Sequence, residues 1–224
     1  MVGVARGPIV VDEQFSRQIF PMDSQTLAGL EEGILRDGCL DPLVVWAEEN
    51  ILLDGHHRKV ICDRHGIDYQ IRHLSLPDRE SAADWIDAHQ LHRRNLTPDQ
   101  MSLLRGRRYN RLKRQDGGHG RQRSGPQIEV PKTSERLANE HGVSHATIER
   151  DGQFAEAVDT LGLQREAARG QVTASRQDVI QTVRSLGEDP TPERIEQARQ
   201  AVTKPHVAHN AGDNEWYKIG RAHV

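Results

Sequence analysis

Residues 51–58 read Ile-Leu-Leu-Asp-Gly-His-His-Arg, an apolar run followed by a turn and a basic segment. The run from Ile51 to Leu53 predicts a buried strand, and Asp54-Gly55 predicts a sharp turn. The segment from His56 to His65 predicts a short helix. Such a turn brings together free backbone N–H groups, the positive end of the helix dipole and basic side chains. We therefore expect an anion site here, and phosphate is the anion most often bound at such a turn.

The segments around this turn predict a small α/β domain over residues 23–96, preceded by an N-terminal arm at residues 1–22. A cap at Asp23 opens an amphipathic helix that Gly38 closes. The β-branched run at residues 42–46 predicts a strand that forms a hairpin with residues 51–53. A further strand is predicted at residues 69–74 and a helix at residues 79–90.

The composition excludes several classes of protein. The net charge of −3 argues against a uniformly basic nucleic-acid binder, so any such binding must come from a local patch. Cys39 and Cys62 are far apart in the sequence, and we expect neither a disulfide nor a zinc framework from them. No signal peptide and no apolar run of about 18 residues is found, which predicts a cytoplasmic protein.

A basic helix and loop are predicted at residues 97–127. Thr97-Pro98-Asp99-Gln100 has the pattern of a helix start, with a capping box between Thr97 and Gln100. Eight basic residues follow against one acid, Asp116: Arg105, Arg107, Arg108, Arg111, Lys113, Arg114, Arg121 and Arg123. A solvated helix face is the simplest interpretation, but the Gly/Arg-rich loop that follows favours contact with a phosphate backbone.

Residues 128–165 are predicted to form a helix-turn-helix domain. Within the segment from Thr133 to Arg150, Ala138 provides the small residue at the helix crossing and Gly142 permits a left-handed turn. Val143 and Ile148 would pack the two helices together. A plain helical hairpin is the alternative. The residues predicted to contact DNA are Arg105, Arg108, Arg111, Lys113, Arg114, Thr133, Ser144, His145, Thr147 and Arg150.

The C-terminal part is predicted to contain helices at residues 166–204 and a disordered tail at residues 205–224. The last six residues, Ile219 to Val224, match a translation of a common sequencing-adapter sequence. We therefore expect these six residues to be foreign and the natural chain to be truncated near Tyr217.

The order of these elements over residues 23–165 resembles the ParB/sulfiredoxin-like superfamily. The resemblance rests on the apolar strand, on Asp-Gly-x-x-Arg at residues 54–58, and on Arg-x-x-Leu-x-Pro at residues 93–98. Short plasmid- or phage-borne ParB-like proteins are the most similar members. The resemblance implies an α+β fold: a small α/β ParB/sulfiredoxin-like N-terminal domain, then an all-α helix-turn-helix domain and C-terminal helices.

The resemblance also implies a nucleotide site. Partition-type ParB proteins bind the triphosphate of CTP at the turn that corresponds to residues 55–58 here, and a second motif contributes residues near Arg93. The implied ligand is CTP or another nucleotide, and the implied binding residues are Gly55, His56, His57, Arg58, Arg93, Arg94 and Asn95. His56 and His89 replace acidic residues of the family, which argues against Mg²⁺ and favours binding over hydrolysis.

The leading hypothesis is a sequence-specific DNA-binding protein of plasmid or phage type, acting in partition or transcriptional regulation and associated with plasmid or nucleoid DNA. The alternative is a ParB-fold nuclease or a nucleotide-dependent phosphotransferase or NTPase, with Asp54, Glu31 and Glu32 as candidate catalytic residues. Double-stranded DNA is the expected partner. A homodimer and a partner ATPase bound by residues 171–203 remain open, and the histidine spacing does not predict a metal site.

Overall fold

A computed structural model describes residues 8–93, 96–117 and 132–203, and the chain divides between residues 86 and 87 into two compact units. The division precedes the predicted domain boundary at residue 96. The described residues are rich in helix and contain one three-stranded sheet, which confirms the predicted mixture of helix and strand. The predicted basic loop after residue 117 and the tail after residue 204 lie outside the described residues.

The first unit contains the sheet. Its elements, with α4 continuing into the second unit, are α1 (Glu13–Gln18), α2 (Ser24–Asp37), β1 (Leu43–Trp46), β2 (Ile51–Asp54), α3 (His56–His65), β3 (Ile71–Leu74) and α4 (Arg79–Leu91). The strand order is β2-β1-β3, with β1 antiparallel to β2 and parallel to β3. The predicted hairpin is therefore present, with Val45 opposite Leu52.

Both faces of this sheet are covered, which explains why its first two strands are continuous apolar runs. Val44, Trp46 and Leu53 belong to one core cluster, whereas Val45 and Leu52 belong to another, as the alternation of side chains along a strand requires. A third cluster packs α2 against α3 and contains Ile34, Ile61 and Cys62, with Leu27, Leu30, Cys39, Ile67 and Tyr69 around it.

Helix α1 was not predicted, since residues 1–22 were assigned to an arm. Asp12 caps the helix by accepting a hydrogen bond from the Phe15 backbone N–H at 3.0 Å. Phe15 is fully buried in the first core cluster, and the Arg79 guanidinium lies 4.5 Å from the centre of its ring. Because α1 is only six residues long, its periodicity gives too little signal to identify it from the sequence.

The second unit is helical. Its elements after α4 are α5 (Pro98–Gly117), α6 (Thr133–His141), α7 (His145–Thr160), α8 (Gln164–Ala168), α9 (Arg176–Leu186) and α10 (Pro192–Val202). The predicted capping box at the start of α5 is present. The Gln100 backbone N–H donates to Thr97 Oγ1 at 3.2 Å, and the Thr97 backbone N–H donates to Gln100 Oε1 at 2.9 Å. Within the described residues, no helix is both long enough and apolar enough to cross a membrane.

Helices α5 and α7 approach each other at two glycines. A Cβ added to Gly106 would lie 2.0 Å from the Asp151 carbonyl oxygen, and one added to Gly152 would lie 2.5 Å from Tyr109 Cδ1. The Asn110 side-chain amide donates to the Gly152 carbonyl at 2.8 Å. The two backbones are therefore closer than any residue with a Cβ would allow.

We expect Gly106→Ala to lower the free energy of unfolding by about 2–3 kcal/mol, because the new methyl group meets a backbone oxygen that cannot move alone. Urea unfolding followed by far-ultraviolet circular dichroism measures this. Gly29→Ala in α2 is the matched control: nothing lies within 4 Å of its added Cβ, so it should be neutral or stabilising by about 0.5–1 kcal/mol. Equal stability of the two variants would show that the helices do not require this contact.

Candidate functional site

The predicted turn between strand and helix is present at Gly55. This residue lies between β2 and α3 with φ +94°, a conformation that side chains other than glycine rarely adopt. A Cβ at Gly55 would also lie 2.5 Å from Leu43 Cδ2 and 3.2 Å from Arg58 Nη2. Both the backbone angle and the space require glycine. The N-cap residue of α3 is Gly55 itself, which has no side chain to cap the helix.

Arg58 is fixed beside this turn. Its Nη2 donates to Asp54 Oδ2 at 2.8 Å and to the Pro42 carbonyl oxygen at 3.2 Å. The side chains of Arg58 and Asp54 are 21% and 18% exposed, so the ion pair is only partly open to solvent. Arg58 Nε is buried and finds no hydrogen-bond partner among the described residues. The guanidinium therefore has a fixed position and keeps donors beyond those that Nη2 uses.

The two histidines of the turn do not present their rings to solvent. His56 is 2% exposed and His57 is 8% exposed. A ligand at the surface of this turn would therefore meet the Arg58 guanidinium before it met either imidazole. The sequence alone could not distinguish a buried histidine from a surface one at these positions.

The second predicted part of the nucleotide site lies in the other unit. Arg93 is half-buried after the end of α4, and its backbone N–H donates to the Gln90 carbonyl oxygen at 3.0 Å. Arg94 and Asn95 lie outside the described residues. The Gly55 turn thus belongs to the first unit and Arg93 to the second.

The candidate catalytic carboxylates are not brought together. Asp54 is at the start of α3, whereas Glu31 contacts its end: Glu31 Oε1 lies 2.6 Å from His65 Nε2 and 3.2 Å from Arg64 Nη1. From His56 to His65 the helix rises by about 13 Å. The hydrogen bond with His65, aided by Arg64, holds the pKa of Glu31 below its usual range. Glu32, beside it in sequence, is exposed.

The second predicted site, the pair formed by α6 and α7, has the turn that the sequence predicts. Gly142 has φ +65°, and the Val143 backbone N–H donates to the Ala138 carbonyl oxygen at 3.0 Å. Ser144 caps α7 by accepting from the Thr147 backbone N–H at 3.1 Å. The two helices share a core cluster with α5 that contains Tyr109, Leu137, Ala138 and Ile148.

Several of the residues predicted to contact DNA lie on the surface. Ser144, His145 and Arg150 are exposed at the start of α7, and Thr147 is half-buried between them. Lys113 and Arg114 are exposed near the end of α5, whereas Thr133 is half-buried and its hydroxyl donates to Asp116. The structure also exposes Lys132 and Arg136 at the start of α6, two cations that sequence analysis did not select.

For the other three predicted DNA contacts, Arg105, Arg108 and Arg111, the structure corrects the expected exposure of the side chain. The charge run predicts these arginines on the surface, but their side chains are only 13%, 9% and 8% exposed. Each forms an ion pair within the second unit. Arg105 Nε lies 2.7 Å from Asp151 Oδ2, Arg111 Nη2 lies 2.9 Å from Asp87 Oδ2, and Arg108 pairs with Glu140.

Helical spacing explains why these three arginines are buried together. Residues 105, 108 and 111 recur every three positions, so they share the face of α5 that its neighbouring helices cover. The three carboxylates come from α4, α6 and α7. A run of basic residues in the sequence shows how many cations a helix carries. It does not show which of them form ion pairs with acidic side chains of neighbouring helices.

Two solved structures of pNOB8-like ParB N-domains are similar to this chain. One form of that domain superposes with a TM-score of 0.53 at 12% sequence identity. The match covers 86% of this chain and 89% of the chain of that structure. The second structure has a TM-score of 0.50 at 14% sequence identity. The match covers 80% of this chain and 73% of the chain of that structure. No protein-family model matches the sequence, and no curated protein matches it.

At this level of identity the likeness concerns the fold alone. It extends beyond the first unit, because residues 1–86 cannot make up 86% of a chain of 224 residues. The expected resemblance is therefore confirmed for the fold. The chain has a ParB-like fold.

Proposed function

We propose that this chain is a sequence-specific DNA-binding protein of the plasmid or phage type, acting in partition or in transcriptional regulation. The observation that carries the proposal is the exposed start of α7. Its first turns present His145, Thr147 and Arg150 beside a Ser144 cap, while Ile148 on the opposite face packs into the core. A helix held in this way can enter the major groove of DNA with its early residues against the base edges.

The exposed cations around this helix pair support the proposal. Lys113, Arg114, Lys132 and Arg136 lie on the two helices packed against α7 and are open to solvent. Lysine and arginine at such positions bind phosphates without reading sequence, whereas Thr147 and Arg150 would read base edges. We omit Arg105, Arg108 and Arg111 from this interface, because carboxylates of the same unit already neutralise them.

We further propose that the Gly55 turn binds a phosphate group, as in a nucleotide such as CTP. Three observations support this role: the left-handed glycine at the start of α3, the absence of a Cβ where space is tight, and the fixed Arg58 guanidinium with its buried Nε. Binding is favoured over hydrolysis, since Asp54 is paired with Arg58 and Glu31 lies at the other end of α3.

Double-stranded DNA is the proposed partner. A homodimer and a partner ATPase are further proposals that follow from the ParB-like fold rather than from any contact among the described residues. Measurement of molar mass in solution, with and without duplex DNA, tests the homodimer.

We expect the double variant Thr147→Ala/Arg150→Ala to weaken duplex binding by roughly 10- to 100-fold, because each good contact to a base edge contributes about 1–3 kcal/mol. A preferred duplex is first selected from a pool of random DNA sequences by its binding to the unaltered chain. Fluorescence anisotropy then measures the affinity of each variant for that duplex. The logarithm of affinity should also fall linearly with the logarithm of salt concentration.

Arg36→Ala is the charge control for this experiment, because Arg36 is 70% exposed on α2, in the first unit. It should leave the affinity unchanged. Unchanged affinity in the double variant would contradict the proposed role of α7, and equal losses in both variants would indicate a general charge effect.

We expect Arg58→Ala to weaken nucleotide binding by about 10-fold or more, since charge-assisted hydrogen bonds to phosphate are the strong ones. Calorimetric titration of CTP, ATP, GTP and ADP, each with and without duplex DNA, measures this and identifies the preferred base. Arg64→Ala is the matched control at the other end of α3, where Arg64 pairs with Glu31.

Arg58→Lys gives a second test in case the alanine variant loses structure, because it keeps the charge and removes the planar fork of donors. Circular dichroism checks the fold of each variant. Nucleotide affinity that is the same in the unaltered, Arg58→Ala and Arg64→Ala chains would remove the turn from the proposal and leave the DNA interface unaffected.

A further inference from the structure

The two cysteines of the chain lie at the same core cluster of the first unit. Their separation in the sequence predicts no disulfide between them. In the structure Cys39 packs against the core cluster that contains Cys62, where α2 meets α3. Cys39 follows Gly38 at the end of α2, and Cys62 is in the second half of α3. Both are free thiols, but folding brings these residues, 23 positions apart in the sequence, to one cluster.

The two thiols differ in accessibility. Cys39 is half-buried, and its Sγ also donates to the Asp41 carbonyl oxygen at 3.4 Å. Cys62 is fully buried. Burial, followed by the interaction with the nearby Cys39 side chain, raises the pKa of the Cys62 thiol to about 12. Cys39 is thus the thiol that a dissolved reagent meets first.

We propose that Cys39 and Cys62 form a reversible thiol–disulfide site, which a low-molecular-weight disulfide such as glutathione disulfide closes into a bond between the end of α2 and α3. The site is distinct from the Gly55 turn and from α7. It requires neither the proposed nucleotide nor DNA.

The reaction takes place in two exchanges. The Cys39 thiol loses its proton to solvent, and its thiolate attacks one sulfur of glutathione disulfide, which forms a mixed disulfide and releases one glutathione thiolate. The Cys62 thiol then loses its proton, and its thiolate attacks Cys39 Sγ and releases the second glutathione. The protein loses two electrons, glutathione disulfide gains them, and the two released thiolates take up two protons.

The environment makes this exchange slow. Thiolate is the attacking species, and a buried thiol with a raised pKa supplies little of it. The site would therefore respond to sustained oxidising conditions rather than to a brief exposure. Once formed, the bond would tie α3 to the end of α2. Arg58 lies on α3 one helical turn before Cys62.

The test uses the full chain, first reduced and then incubated with glutathione disulfide, quenched with an alkylating reagent and measured by intact mass and peptide mapping. We expect both thiols to be lost together, with a Cys39–Cys62 linked peptide in a monomeric chain, and reversal by dithiothreitol. The melting temperature should rise by about 5 °C or more, because the bond closes a loop of roughly 24 residues in the unfolded chain.

Two single variants separate the proposal from simple thiol oxidation. Cys62→Ala should keep a stable glutathione adduct on Cys39 and show no rise in melting temperature. Cys39→Ser, at the more accessible position, should leave Cys62 reduced, and it serves if the first variant does not fold. The proposal is overturned if the unaltered chain keeps a glutathione adduct on Cys39 with Cys62 reduced, links two chains together, or does not react.

Discussion

The close approach of α5 and α7 at Gly106 and Gly152 is the constraint on which the second unit depends. At this contact Asp151 is 2% exposed, and burying an unpaired carboxylate would cost several kcal/mol. Its oxygens instead accept hydrogen bonds from Ser102 Oγ and from Arg105 Nε. The glycines thus set how near the helices come, and the polar groups around Asp151 fix where along their length they cross.

This crossing determines which part of α7 reaches solvent. The middle of α7, including Phe154, Ala155 and Val158, is buried within the unit. Its first turns pack on α5 and α6 through Ile148, while their other side is exposed. The proposed recognition surface is therefore rigid because its opposite face is packed, a property that direct contact with base edges requires.

Helix α3 has a comparable place in the first unit. Its start is the Gly55 turn with Arg58, its middle contains the thiol of Cys62, and its end pairs with Glu31 on α2. All three features thus lie along one helix of ten residues. The packing of α2 on α3 connects these features, since Ile34 and Ile61 belong to the same buried cluster.

The sequence by itself determined the local features. The strand and turn before α3, the capping box at Thr97 and the left-handed Gly142 each depend on residues within four positions of one another. Such patterns can be recognised without knowing the fold. The resemblance to ParB also rested on the order of these local elements, and the comparison of structures agrees with it.

Only the tertiary structure decided the partners that lie far apart in the sequence. Arg105 meets an acid 46 positions away, Arg108 one 32 positions away and Arg111 one 24 positions away. These arginines had the same sequence pattern as surface cations, and Cys39 and Cys62 had the pattern of isolated thiols. The difference comes from packing: which side chains meet across two elements depends on how those elements cross, and no spacing within one element contains that information.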